Sequence, residues 1–402
     1  MQKPSYSSIL KNILFSALTL LFVFLSIEFS CQAFYRIKFS REQFYVHWFQ
    51  WAKIMGWHPP REGVINAFGF HNSEMNPLKE KNEFRILVLG SSAVYGTDDI
   101  HSSWTWNLEN LLNQTSEKVH FQVLNGGVSG GTSHEDVKHL RDTLEFDPDL
   151  VIIYNGFNDT YAMHYSPEAY LDRQPEYGTE GDMDELRQFL YRRSLALTLL
   201  NQWTCEVKAR RKAKKISKIS QQKIEKENPQ PFLSESKPKK IDRADLKQKV
   251  LNIWGVDYVY KFDENSAISE DGISYYEKNL GEIHRILARR KISHVIILQP
   301  NLAYSMASGQ GSEGAKGILK NTTGVLYNDW IKASGVLYPA CIKVINRLRE
   351  KGILAYDFTG IFQRIEEEAF GDSVHQKDGY PKDRIAEKVK EVLLENNLLP
   401  KA

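Results

Sequence analysis

Residues Phe84–Leu89 read FRILVL, and the chain then runs Gly90-Ser91-Ser92-Ala93-Val94-Tyr95-Gly96. A short apolar, β-branched run stopped by a glycine marks a buried strand. Outward from it the pattern repeats. Trp104–Leu112 has the spacing of a helix, and Phe121–Leu124 is a second strand ending in Asn125-Gly126-Gly127. Thr132-Ser133-His134-Glu135 has the form of a capping box and opens a helix that runs through Leu144. Leu150–Tyr154 (LVIIY) is a third buried strand. Further on come a helix at Tyr275–Arg290, a strand at His294–Leu298, a helix at Tyr338–Lys351, a short strand at Ile353–Tyr356 and a closing helix from Pro381 to Asn396. Continuous apolar strands alternating with helices predict a parallel sheet covered on both faces, with its chemistry at the carboxyl ends of the strands.

Four short motifs fall at or near such positions. Ser92 follows the first strand, where a hydroxyl can stand exposed at the start of the next helix. A phosphate-cradling loop is the competing reading of the same glycine-serine turn. It lacks the lysine of a P-loop, and its glycines do not have dinucleotide spacing. Gly127 follows the second strand and can let backbone N–H approach a reacting centre. The alternative there is a plain strand-to-helix turn. Asn158, in Gly156-Phe157-Asn158-Asp159 after the third strand, offers an amide donor or, equally, a turn residue. Asp372-Ser373-Val374-His375 precedes the last helix, and an Asp three residues before a His can fix the imidazole tautomer. These two residues could also be exposed loop positions or a metal pair, although no His or Cys cluster stands near them.

Taken together, in this order, the motifs resemble the signature blocks of the SGNH/GDSL hydrolase family. The resemblance covers Phe84–Thr160 and about Tyr275–Asn396, and Ala67-Phe68-Gly69-Phe70 looks like the lead-in of membrane-anchored bacterial members. It implies a three-layer α/β/α sandwich with a parallel sheet of about five strands, which agrees with the strand count above. It also implies a serine esterase with Ser92 as nucleophile, Asp372 and His375 as its partners, and an oxyanion hole of Ser92 N–H, Gly127 N–H and the Asn158 amide. No cofactor and no metal are required. The substrate class that follows by analogy is an ester of the cell envelope, such as an O-acyl group on a polysaccharide or lipid. An O-acyltransferase using the same three residues, or a non-catalytic anchored assembly or binding protein on the same fold, are the alternatives. One departure is Gly90-Ser91-Ser92 where the family often has Gly-Asp-Ser, so the turn that carries the serine is expected to be held differently.

The rest of the chain sets the context. Its 402 residues can bury a substantial core, and a net charge of +2 gives no sign of nucleic-acid binding. Its three cysteines, Cys31, Cys205 and Cys341, are scattered and make neither a disulfide framework nor a zinc site. Ile13–Ile27 carries no charge, and Ile9–Phe29 approaches the ~20 residues of a bilayer crossing. An uncleaved anchor is favoured over a signal peptide cut near Cys31-Gln32-Ala33, because the run is long for a signal. Lys3 and Lys11 on one side and Arg36, Lys38 and Arg41 on the other leave the orientation open. The envelope analogy places the catalytic domain on the extracytoplasmic side.

The expected organisation is an anchor over 1–33, an aromatic juxtamembrane segment and lead-in over 34–83, the α/β domain over 84–164 and 273–402, and an insertion over 165–272. The aromatic stretch Phe44–Trp57 suits either a membrane-interface belt or a packed helix. The centre of the insertion, Lys208–Lys249, is basic, polar and punctuated by Pro229, Pro231 and Pro238. It reads as a solvated, flexible insert, or more sharply as a patch that meets anionic lipid or an acidic polymer.

Overall fold

The computed structural model describes residues 6–38, 61–165, 170, 194–197, 199–200, 203, 248–253, 256–261, 270–323 and 327–400. The aromatic stretch 44–57 and the basic centre of the insertion up to residue 247 lie outside these. Two compact units divide the chain, one of Met1–Ile54 with Glu176–Asp245, the other of Met55–Pro175 with Leu246–Ala402.

The first unit contains helix α1, Tyr6–Lys38, of 33 residues. At 1.5 Å per residue it is roughly 50 Å long, more than a bilayer core is thick. Its apolar side chains are exposed along its length, Phe15 at 73% and Leu20 at 71% among them. It is long and apolar enough to cross a membrane.

The second unit holds a five-stranded sheet of order β2-β1-β3-β6-β7. Its strands are β1 (Glu83–Gly90), β2 (His120–Gly127), β3 (Leu150–Asn155), β6 (Ser293–Leu298) and β7 (Ala355–Asp357). Every pairing is parallel, with Gly90 beside Gly127 and Tyr154, and Leu298 beside Asn155 and Asp357. Ile86–Leu89, Leu150–Tyr154 and Val295–Leu298 are wholly buried, as strands covered on both faces must be. The covering helices are α2 (Ser92–Tyr95), α3 (Trp104–Asn113), α4 (Ser133–Thr143), α5 (Phe157–Tyr165), α6 (Glu270–Arg289), α7 (Leu302–Ala307), α8 (Glu313–Thr323), α9 (Tyr327–Glu350), α10 (Glu366–Ala369) and α11 (Tyr380–Glu395). This is the three-layer α/β/α sandwich with five parallel strands that the sequence predicts.

Local chemistry explains the boundaries. The Glu135 carboxylate accepts from the Thr132 N–H at 3.0 Å and from the Thr132 hydroxyl, so the expected capping box opens α4. The lead-in is folded onto the sheet. Asn66 Oδ1 accepts from the Phe68 and Phe70 N–H groups, and both rings pack edge-on against Phe146. Arg85, fully buried inside β1, donates to the carbonyls of Asn76, Pro77 and Phe146 and pairs with Glu83. A buried guanidinium is tolerated because its donors are met.

Two elements differ from the sequence expectation. The helix expected at Tyr338–Lys351 begins at Tyr327, with Pro339 inside it. Proline reads as a helix start because it lacks an N–H; here burial of Trp330, Leu337, Tyr338 and Cys341 on one helix carries the backbone through it. Within the interruption an antiparallel hairpin pairs β4 (Gln248–Ile253) with β5 (Val256–Lys261), where no strand is expected.

Candidate active site

The four motifs converge at the carboxyl edge of this sheet. Gly90 ends β1 at φ +155, and a Cβ there would lie 2.1 Å from the Tyr154 carbonyl oxygen, so only glycine allows the turn. Two residues on, α2 begins at Ser92. The two serines part company here. Ser91 is buried and donates to Gln299 Oε1 at 3.4 Å, while its oxygen caps the Ala93 N–H. Ser92 is partly exposed, and its Oγ lies 2.7 Å from His375 Nε2. Ser91 thus ties the turn to the end of β6.

His375 sits in a tight loop between α10 and α11. Phe370 and Gln376 bridge across it, and the Gly371 N–H donates to the His375 carbonyl at 2.8 Å. Asp372 shapes the loop from within. Its Oδ1 accepts from the N–H groups of Val374 at 2.8 Å and His375 at 2.7 Å. Its Oδ2 lies 2.6 Å from His375 Nδ1. The Leu302 N–H, at the start of α7, donates to the Ser373 carbonyl at 3.0 Å and fixes the loop against the end of β6.

Burial raises the Asp372 carboxyl. The hydrogen bond and charge of His375, with the two backbone N–H groups, outweigh it and hold the group below the ordinary carboxylate range. An ionised carboxylate is acceptor only, so Nδ1 carries the imidazole proton and Nε2 faces the Ser92 hydroxyl as an acceptor.

Asn158 stands in the first turn of α5. One N–H of its amide donates to the Gly131 carbonyl at 2.9 Å, which fixes the plane of the group and leaves a second N–H on the same nitrogen. Its neighbour Asp159 is wholly buried and accepts from the Ser133 N–H and hydroxyl and from the Tyr170 hydroxyl. Burial pushes the Asp159 carboxyl up to about 6 against the pull of these donors. Asn158 and Asp159 thereby grip the same loop, residues 131–133, from adjacent positions.

Gly127 departs from its expected role. Its N–H, expected to face a reacting oxygen, donates to Asn125 Oδ1 at 3.0 Å. The Asn125 amide in turn donates to the Val94 carbonyl at 2.8 Å and Thr105 Oγ1 at 2.9 Å. A short polar side chain two residues upstream captures a backbone N–H readily. What Gly127 clearly supplies is space, since a Cβ there would lie 2.2 Å from the Tyr95 N. The Asn-Gly-Gly sequence was the available signal for Asn125.

Sequence reasoning also missed the aromatic group beside Asn158. Tyr161 lies three residues along α5, one turn on the same helix face. Its ring stacks near Phe157 at 6.1 Å and meets Trp330 of α9 edge-on at 5.4 Å. His164 Nε2 lies 2.7 Å from Asp329 Oδ2 and ties the two helices together.

No family model matches the chain, and no curated protein does. Solved structures do. A GDSL-like lipase from Bacteroides thetaiotaomicron is similar at 10% identity and a TM-score of 0.36, over 78% of this chain and 88% of that one. A putative acylhydrolase from Bacteroides fragilis is similar at 10% identity and a TM-score of 0.38, over 80% and 90%. The acetylxylan esterase Axe2 from Geobacillus stearothermophilus is similar at 11% identity and a TM-score of 0.35, over 79% and 95%. Likeness this slight carries no inference about chemistry. The fold stands on the chain's own strand order and register, and they give the architecture implied by its SGNH/GDSL-like motifs.

Proposed function

We propose that the protein is a membrane-tethered serine esterase. The observation that carries this reading is the unbroken hydrogen-bonded line from Asp372 through His375 to Ser92. His375 Nε2 takes the Ser92 proton as Oγ attacks an ester carbonyl. The oxyanion is met by the Ser92 N–H, at the first position of α2, and by the second N–H of Asn158. Gly127 N–H joins only by sharing itself with Asn125. His375 then protonates the leaving alkoxide, and the acyl group stays on Ser92. Water, deprotonated by the same imidazole, releases the acid and restores the serine.

Helix α1 holds the domain at a membrane, on the extracytoplasmic side. The substrates we infer are O-acyl esters of envelope polysaccharide or lipid. The test is an assay of full-length protein in detergent micelles on short and long acyl esters, with and without a sugar acceptor. Acid release that requires Ser92 supports the esterase. Acyl-sugar formed in place of free acid would replace it with acyl transfer. No turnover and no labelling of Ser92 by a fluorophosphonate, in folded protein, would leave a non-catalytic fold.

A further inference from the structure

The first unit contains an acidic residue that the proposed chemistry does not use. Glu28 is the first charged residue of α1 after Lys11. The two lie seventeen residues apart, or roughly 25 Å along the helix. That is close to the thickness of a bilayer core, so Glu28 falls at its boundary. A carboxylate there is costly unless its oxygens are met.

They are met, mostly from far along the chain. Glu28 accepts from the Ser194 hydroxyl at 2.6 Å, from the Leu195 N–H at 2.9 Å and from the Ala196 N–H at 2.9 Å. Gln32, one turn along α1, supplies a further donor at 2.6 Å. Residues 195–197, 199–200 and 203 are helical. A side chain of α1 therefore satisfies the first amides of this second helical segment, where an anion is most favourable. Leu195, beside the carboxylate, is fully buried. Leu200 and Trp203, three apart and so on one face, are 55% and 61% exposed. Directly after them the sequence turns basic, with Lys208, Arg210, Arg211, Lys212, Lys214 and Lys215.

We propose that Leu200 and Trp203 form a second membrane contact, lying in the interfacial plane with their side chains in the lipid. Continuity with α1 through Glu28 sets its depth at the end of the span. A tryptophan beside a leucine on one exposed face suits that depth, where the indole can be half wet. The basic run that follows complements anionic headgroups. The proposal rests on reading α1 as a membrane span, and it adds that the span organises the start of the insertion at the bilayer surface.

The test uses the full-length chain with Cys31 and Cys205 replaced by Ser and one environment-sensitive label. The label is placed at Leu200→Cys or, as a control for the span, at Leu20→Cys. The proteins are reconstituted in vesicles of phosphatidylcholine and phosphatidylglycerol carrying nitroxide near the headgroup or deep in the acyl chain. We expect the Leu20 label to be quenched by the deep nitroxide and the Leu200 label by the shallow one, with iodide in the water reaching neither well. Adding Glu28→Ala should release the Leu200 label to iodide and leave the Leu20 label where it was. A Leu200 label open to iodide beside a deeply quenched Leu20 label overturns the interfacial contact and leaves the span standing. A Leu20 label open to iodide removes the span, and the contact with it. Quenching at Leu200 that survives Glu28→Ala overturns the tie through Glu28.

Discussion

His375 Nε2 lies 2.7 Å from Ser92 Oγ, although 283 positions separate the two residues in the chain. No local folding preference brings them together. Ser92 is carried by the end of β1, and His375 by a loop that Asp372 shapes and the start of α7 holds in place. The contact therefore reports the assembled sheet.

Asn158→Ala should leave the protein folded and lower kcat by ~10²- to 10³-fold, the usual cost of one oxyanion donor. Its one side-chain bond among the described residues is the part-buried one to the Gly131 carbonyl, so the structural loss is that of a single hydrogen bond. Steady-state kinetics on a good ester, beside an unfolding curve, separates the two effects. An unchanged kcat would reduce Asn158 to a turn residue.

Tyr161→Ala should act on binding more than on chemistry. The ring is partly exposed, backed by Phe157 and Trp330, and one helical turn from Asn158. An aromatic contact of about 0.5–1.5 kcal/mol corresponds to a ~2- to 10-fold rise in KM with kcat nearly constant. An unchanged KM and kcat would place Tyr161 away from the bound substrate.

Glu109 gives a pH dependence of stability. Burial pushes its carboxyl from an ordinary 4.5 up to about 7, despite the Val123 N–H that donates to it and with the Glu83 charge adding to the rise. The folded state thus keeps a proton that the unfolded state has released, so stability falls as pH rises between those values. The contribution is fully present below 4.5 and lost above about 7. Glu109→Gln keeps an acceptor for Val123 and has no proton to lose. At pH 8 it should be more stable by on the order of 2–3 kcal/mol, and the slope of stability against pH should flatten. Asp159, raised to about 6, retains its own contribution of the same sign in both proteins. Identical slopes in denaturant titrations across this range would refute the assignment.

Much of the site was legible because its signals are local. FRILVL followed by glycine sets the strand, and the strand sets Ser92 at the sheet edge. The three-residue spacing of Asp372 and His375 is enough for one carboxylate to bind both the imidazole and the loop backbone. What stayed hidden depends on competition or distance. Gly127 reads as a donor until Asn125, two residues away, takes its N–H. The role of Glu28 is hidden because its partners Ser194–Ala196 lie more than 160 positions on. The expected helix begins only at Tyr338 because local propensity cannot see the buried face that carries α9 past Pro339.

The most demanding prediction treats Ser92, His375 and Asp372 as one unit. Each transfers or holds a proton for the next, so removing one leaves the others without a task, and losses do not add. Ser92→Ala and His375→Ala should each reduce ester hydrolysis by several orders of magnitude. The double variant should be little slower than either single one. Asp372→Asn should cost ~10⁴-fold or somewhat less, because an amide can present a donor to Nδ1 and favour the wrong tautomer. This limb is separable from folding. Asp372 Oδ1 binds the Val374 and His375 N–H groups, and an asparagine oxygen can keep those bonds while its nitrogen faces the ring. A fluorophosphonate should label Ser92 alone, since Ser91 is buried against Gln299. Mass spectrometry of the labelled peptide resolves the two serines. Labelling at Ser91, or losses in the double variant that multiply, would break the line from Asp372 to Ser92 as a catalytic device.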